Sequence, residues 1–264
     1  MSNIHPTAVI EDGAAIAESA SVGPYCIIGP DVSLAEDVEL KSHVVIDGVT
    51  SIGVRSCIYP FASLGQRPQD LKYQGEKSRL EIGADTTVRE HVTIHTGTEG
   101  GGMLTKVGDN CLIMGSVHIA HDCVIGNNVI LSQGAAMGGH VQIDDFAILG
   151  GAVALHHFVR IGAHAMIGGA SAVDHDVIPY GSVNGERASL SGINLIGMRR
   201  GGSSKDETRA MLDAFKAIFA GEGTLAERVD QVAKDFAGTA PVMEVVEFLR
   251  ADTSRPICKP PSED

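Results

Sequence analysis

The sequence predicts a triangular parallel β-helix of about ten coils, closed at its C-terminal end by a small α-helical domain. Two observations carry this prediction. Aliphatic residues recur every six positions from Ile4 to Val173, and the recurrence stops near Pro179, where helix-capping signals begin. Composition agrees: of 264 residues 44% are hydrophobic but only 4% aromatic, with no Trp and 32 Gly, so the interior must be filled by small aliphatic side chains.

Stepping by six from Ile4 gives Ile10, Ile16, Val22, Ile28, Leu34, Leu40, Ile46, Ile52, Ile58 and Leu64. The register resumes at Ile82, Val88 and Ile94, then runs from Val107 through Ile113, Ile119, Ile125, Leu131, Met137 and onward to Val173. Four residues after each of these lies a small or β-branched partner, among them Ala20, Cys26, Val44, Cys111, Val117, Cys123 and Val141. Three six-residue faces make one coil of 18 residues, and at about 4.8 Å between paired strands ten coils stack to about 45–50 Å. Cys26, Cys111 and Cys123 fall in the inward column and read as core fillers, not nucleophiles. The two gaps in the period predict loops pushed out of the prism, near residues 66–80 and 97–106; the second, GTEGGGMLTK, is rich in Gly. Polar insertions on a rigid repeat scaffold are natural places for a binding site.

Domain limits follow as 1–185 for the β-helix and 186–264 for the helical part. Ser204-x-x-Glu207 and Thr224-x-x-Glu227 read as capping boxes. The first precedes an apolar face of Leu212, Phe215, Ile218 and Phe219, and the second precedes Val229, Val232 and Phe236. Pro241 suits a first helical turn ahead of Val242, Val245, Val246 and Leu249. The residues from Ser254 onward, with three Pro, are expected to fray.

The net charge of −13 argues against nucleic acid and anionic membrane surfaces as general partners. The acidic excess lies mostly in residues 1–185, so a dock for an acidic partner is expected in the later part, with Arg187, Arg199, Arg200, Lys205 and Arg209 as candidates. Five Cys without a CxxC spacing suggest reduced thiols and neither a disulfide framework nor a Cys-based zinc site. The opening MSNIHPTAVIEDGAA has no basic or apolar leader segment, and no run approaches 20 apolar residues, so a cytoplasmic protein without a membrane anchor is expected.

Chemistry is suggested by the histidines, eleven in all. At 18 residues per coil, His121, Gly139 and His157 share one column, and Asp122 lies one coil below His140. These positions point away from the apolar core. A histidine near neutral pH is the natural general base, and a neighbouring carboxylate can orient it.

The strings QDLKY (69–73), HIAHD (118–122), GGH (138–140), LHHF (155–158) and GINLIGMRR (192–200), in this order and spacing, resemble those of the UDP-N-acetylglucosamine acyltransferases of lipid A biosynthesis. That resemblance covers nearly the whole chain. It implies an all-β left-handed parallel β-helix forming a homotrimer with active sites between subunits. It also implies transfer of a 3-hydroxyacyl group from acyl carrier protein to the glucosamine 3-hydroxyl of UDP-N-acetylglucosamine, with no cofactor or metal. By the same resemblance His121 is the general base, Asp122 orients it, and the Gly139 N–H holds the oxyanion. Asp70, Lys72, His118 and His140 match positions around the sugar and the acyl group, and His156 matches a further active-site position. Asn194 and Arg200 match nucleotide contacts, and Gly169 matches the position that sets acyl-chain length. Three positions depart from the pattern: His157 stands where a Gln is familiar, Ile196 where a Glu is, and Gly201 where a second Arg often follows Arg200.

Other readings predict different things. Transfer to a 3-amino sugar nucleotide would use the same site. A γ-type carbonic anhydrase would need paired His ligands five apart, whereas His118 and His121 are three apart. A non-catalytic β-helix scaffold would bind neither substrate. The later N-acyltransferase of the pathway has an extra N-terminal domain, for which a repeat starting at Ile4 leaves no room.

Overall fold

In the computed structural model, which describes residues 3–251 and 254–261, the six-residue period is realised as two-residue strands separated by turns. Each strand places one aliphatic side chain inward. Ile28, Leu40, Ile46, Ile58, Leu64, Ile94, Ile113, Ile119 and Leu131 are fully buried, and so are their small partners Cys26, Val44, Val117, Cys123 and Val141. Burial pushes the Cys123 thiol up to about 12, as expected for a core filler and not for a nucleophile. Among the described residues the strands form three sheets of eleven, nine and eight, which we call the first, second and third faces in the order the chain visits them.

Parallel partners lie 18 residues apart, as in Ile4 with Val22 and Ile28 with Ile46. Ile58 instead pairs with Val88, and Ile94 with Ile119, because the two insertions leave the prism in those coils. Both insertions are shorter than the sequence suggests. Strands resume at Arg79 and at Leu104, so residues 79–80 and 104–106 belong to the third face, anchored by the fully buried Leu80 and Val107.

Tight corners require a left-handed backbone, and the chain places non-glycine residues there. Tyr25, His43, Phe61 and His91 have φ of 58–66° at one corner, and Asp122, His140 and Phe158 have φ of 60–65° at another. The strain is offset because each such N–H finds an acceptor in the coil below, either a carbonyl, as for His43 on Pro24 at 2.9 Å and His140 on His121 at 3.0 Å, or a threonine hydroxyl, as for Tyr25 on Thr7 and Asp122 on Thr105. Stacking of the corner side chains adds to this, as in His140 on Phe158 with ring centroids 4.3 Å apart.

The last parallel strand, Gly181–Asn184, turns back into an antiparallel hairpin with Ser189–Ile193. Four helices follow: α1 (Leu195–Arg200), α2 (Lys205–Ala220), α3 (Leu225–Asp235) and α4 (Ala240–Ala251). Both capping boxes form, Ser204 with Glu207 and Thr224 with Glu227. The buried stripe of α2 is Met211, Ala214 and Ile218, with Leu212 only half-buried, so the face is rotated from the one read in the sequence. On α4, Val242, Val245, Val246 and Leu249 are buried as the spacing predicts.

The expectation of fraying from Ser254 is wrong for the described part of the tail. Ile257 bridges Asp176, the Asp176 N–H donates to the Pro256 carbonyl, and the Leu190 N–H donates to the Lys259 carbonyl at 2.9 Å. Backbone groups left open by the last coil are satisfied by this strap, which buries Cys258; residues 262–264 lie outside the described part.

Candidate active site

At the corner between the second and third faces, the strand His118–Ile119 ends and the turn 120–123 begins. His121 and Asp122 project from this turn away from the aliphatic core, yet both are buried, at 7% and 5% exposure. The sequence alone places them at the surface. They are covered because the second insertion folds over them.

The Asp122 carboxylate is held from three sides. Its Oδ1 accepts the Thr98 N–H at 2.8 Å, and its Oδ2 accepts the Thr98 hydroxyl at 2.5 Å and His121 Nδ1–H at 2.7 Å. Its own N–H donates to Thr105 Oγ1 at 2.8 Å. Such a carboxylate fixes the His121 tautomer with the proton on Nδ1 and leaves Nε2 as a bare acceptor. The insertion can approach so closely only through glycine. A Cβ at Gly101 would lie 2.0 Å from Asp122 Cγ, and one at Gly97 would lie 2.8 Å from Oδ1. The glycine run reads as a loop in the sequence, but its Thr98 and its contact with Asp122 carry no periodic signal.

Gly139 sits one coil above His121. A Cβ there would lie 2.4 Å from His121 Cε1 and 2.6 Å from Nε2, so the missing side chain keeps the face of the base open. The Gly139 N–H donates to His157 Nδ1 at 2.9 Å. His156 stands beside it, its Nδ1 3.2 Å from the His157 carbonyl oxygen. His140 packs perpendicular to His121 with centroids 5.1 Å apart, its Nε2 3.9 Å from Asp122 Oδ2, and burial outweighs that carboxylate and holds the ring below the usual imidazole range.

His118 lies on the second face, bonded through Nδ1 to Thr93 Oγ1 at 2.8 Å, and burial lowers its pKa as well. Against it, edge-on at 5.2 Å, packs His95, which sequence reasoning did not single out. His95 is buried, its Nδ1 has no partner, and desolvation brings its pKa down to about 4. Neutral imidazoles thus surround the dyad.

Of the remaining expected residues, some converge on this corner and others do not. Asp70, on the first insertion, is close enough for its charge to act on His140, and its Oδ1 accepts the Lys72 N–H at 2.9 Å. Leu71 between them is fully exposed. Gly169 lies on a different corner, between the first and second faces, beside an outward row of half-buried apolar residues, Leu112, Ile130, Ile148 and Met166. Asn194 caps α1 by accepting the Gly197 N–H at 2.9 Å and donates to the His164 carbonyl at 2.9 Å; the exposed Arg200 ends that helix. His164 belongs to the corner between the third and first faces, so one chain does not bring Asn194 and Arg200 to His121.

Beside the dyad opens a cavity of about 680 Å³ lined by Gly101, Asp122, His140, Phe158, Arg160 and Arg255. A shallower depression of about 850 Å³ lies at the N-terminal coils around Pro6 and Tyr59, away from this chemistry. Among the described residues His121, Asp122 and His140 are the one group whose ligand atoms could gather round a metal ion, within 4.8 Å of each other. The carboxylate oxygens already carry three donors, an arrangement suited to moving a proton.

Comparison with known proteins agrees along the whole chain. Residues 176–258 match a family described as UDP N-acetylglucosamine O-acyltransferase, domain 2, and residues 104–139 match bacterial transferase hexapeptide repeats. The chain is 57% identical over 258 residues, 98% of each protein, to an acyl-[acyl-carrier-protein]–UDP-N-acetylglucosamine O-acyltransferase of Rickettsia rickettsii. Solved UDP-N-acetylglucosamine acyltransferases align with it closely: that of Moraxella catarrhalis at 39% identity and TM-score 0.93, over 97% of this chain and 99% of that one. The homologous structure from Acinetobacter baumannii matches at 40% identity and TM-score 0.94, with the same coverage. The fold is the left-handed parallel β-helix, the parallel coil as the period predicts and its hand as the family resemblance implies.

Proposed function

The chain belongs to the UDP-N-acetylglucosamine O-acyltransferase family, whose members open lipid A biosynthesis, and from that premise we propose how its own residues perform the transfer. The protein is an acyltransferase. It moves a 3-hydroxyacyl group from acyl carrier protein to the glucosamine 3-hydroxyl of UDP-N-acetylglucosamine. His121 Nε2 takes the proton of that hydroxyl as its oxygen attacks the thioester carbonyl. The carbon–sulfur bond then breaks, and the proton passes to the leaving thiolate. Asp122 holds the imidazole through Nδ1 and stabilises the imidazolium. The Gly139 N–H receives the oxyanion.

The observation that carries this reading is the buried His121–Asp122 pair pinned by Thr98 beneath an open Gly139. His118, His140 and His156 line the place of the sugar and the reacting carbonyl, with Asp70 and Lys72 delivered by the first insertion. The apolar row ending beside Gly169 suits an acyl chain, and the absence of a side chain there leaves room for a long one. Asn194 and Arg200, remote from His121 in the same chain, serve the nucleotide of a site completed by a second subunit, and the exposed Leu71 loop reaches across the same interface. This supports a homotrimer with three shared sites. Arg187, Arg199, Arg200, Lys205 and Arg209 offer local positive charge to the acidic carrier protein. Five unpaired thiols suit a cytoplasmic protein, and among the described residues no helix is long and apolar enough to cross a membrane.

The test is transfer from a set of 3-hydroxyacyl carrier proteins to UDP-N-acetylglucosamine, wild type beside His121→Ala. The variant should lose on the order of 10²–10⁴ in kcat. Wild-type rates in the variant would remove His121 from the role of base. Transfer only to the 3-amino sugar nucleotide would change the acceptor and leave the machinery intact.

A further inference from the structure

The residue that departs from the family pattern nearest the reacting atoms is His157, and its geometry makes the departure informative. Its Nδ1 accepts the Gly139 N–H at 2.9 Å, and its ring lies against the backbone of the preceding glycine, where a Cβ at Gly138 would fall 2.9 Å from His157 Cγ. An imidazole that accepts on Nδ1 carries its proton on Nε2 and is neutral. The N–H assigned above to the oxyanion therefore already has an acceptor in the free protein. The thioester oxygen and His157 Nδ1 compete for one donor.

We infer that His157 gates the oxyanion donor: neutral, it caps the Gly139 N–H, and arrival of the thioester oxygen displaces the ring, which then takes a proton on the freed Nδ1. This rests on the reading of Gly139 as the oxyanion donor. The proton comes from solvent and returns there when product leaves and the ring recaptures the N–H. A glutamine at this place could accept the same N–H through its amide oxygen but could not carry the proton. Protonated, the displaced imidazolium lies one coil from the developing negative charge and stabilises it. Release of a cap that only the neutral ring can form makes donor binding take up a proton, so donor affinity rises as pH falls. Several groups face His157. His156 stands perpendicular at 5.6 Å, and His121 and His140 lie across Gly139 with Asp122 behind them; Asp70 reaches the cluster from the first insertion, and the His175–Asp174 pair lies one coil on. Asp70 and Asp122 favour the charged ring, whereas the neighbouring histidines oppose it only when they are themselves charged.

The test is calorimetric binding of a 3-hydroxyacyl carrier protein, without sugar nucleotide, to wild type and His157→Gln at pH 6.5 in two buffers of different ionisation enthalpy. Unacylated carrier protein serves as the reference for docking alone. Wild type should take up more protons with the acylated donor than with the reference, by up to about one proton per site since one ring nitrogen is freed, and His157→Gln should show no such difference. Equal uptake by both proteins, or equal uptake with acylated and unacylated donor, overturns the gate. So does a structure of the donor complex in which His157 Nδ1 still holds the Gly139 N–H. The His121→Ala assay reports separately on the site reading. Lost transfer there, together with equal proton uptake, sinks the gate alone, whereas wild-type transfer in His121→Ala sinks the site reading.

Discussion

Thr98→Val isolates what the second insertion contributes to the base. Valine has nearly the shape of threonine, so the backbone N–H bond to Asp122 Oδ1 and the packing of the loop persist, and only the hydroxyl donor to Oδ2 is lost. A hydrogen bond to a buried charged group contributes about 1.5–3 kcal/mol. With two donors remaining, from the Thr98 N–H and His121, we expect the carboxylate to stay in place but to orient the imidazole less strictly. Loss of about 1.4 kcal/mol in the transition state corresponds to a tenfold fall in kcat. The KM for each substrate should change little, because Thr98 is covered and touches neither. Steady-state kinetics with a 3-hydroxyacyl carrier protein would read this directly. A second comparison makes the assignment strict: in a His121→Ala background Thr98→Val should cost nothing further in kcat, since its effect runs through the base. A kcat within twofold of wild type, or an undiminished effect in the His121→Ala background, would refute the view that Thr98 acts by holding Asp122 against His121.

Gly169→Met should shift the preferred donor to shorter acyl chains, read as the ratio of kcat/KM for long and short donors, with little loss on the short ones; an unchanged ratio would place the chain elsewhere. His95 is held neutral, with a pKa of about 4 against an ordinary 6.5, so the unfolded chain binds the extra proton between these values. Stability contributed by this group is therefore complete above pH 6.5 and lost as pH falls toward 4, by roughly 2 kcal/mol at pH 5. His118 and His140, also lowered by burial, act in the same direction, and His95→Gln should flatten the dependence of the urea midpoint on pH. Arg160→Ala would strand Asp176, a carboxylate 1% exposed that accepts both the Arg160 N–H and its guanidinium, the latter at 2.7 Å, and should cost about 3–5 kcal/mol in chemical denaturation.

Much of this protein is legible along the chain because its architecture is a translation. Once an 18-residue coil is recognised, the inward columns, the adjacency of His121 to Gly139 and His157, and the stacking of Asp122 under His140 follow by arithmetic, and parallel pairing realises them. The capping boxes at Ser204 and Thr224 are equally local, since four residues contain both partners of each bond. Other features depend on segments that the period does not index. Thr98 meets Asp122 from 24 residues away because glycines let the insertion's backbone lie on the carboxylate. The tail returns to bond the edge that the last coil leaves open. Burial of His95 and capping of Gly139 by His157 arise from how rings fill the space between coils. A repeat specifies position along the prism by spacing alone, but which polar group satisfies which is settled only when backbones from distant parts of the chain come within hydrogen-bonding distance.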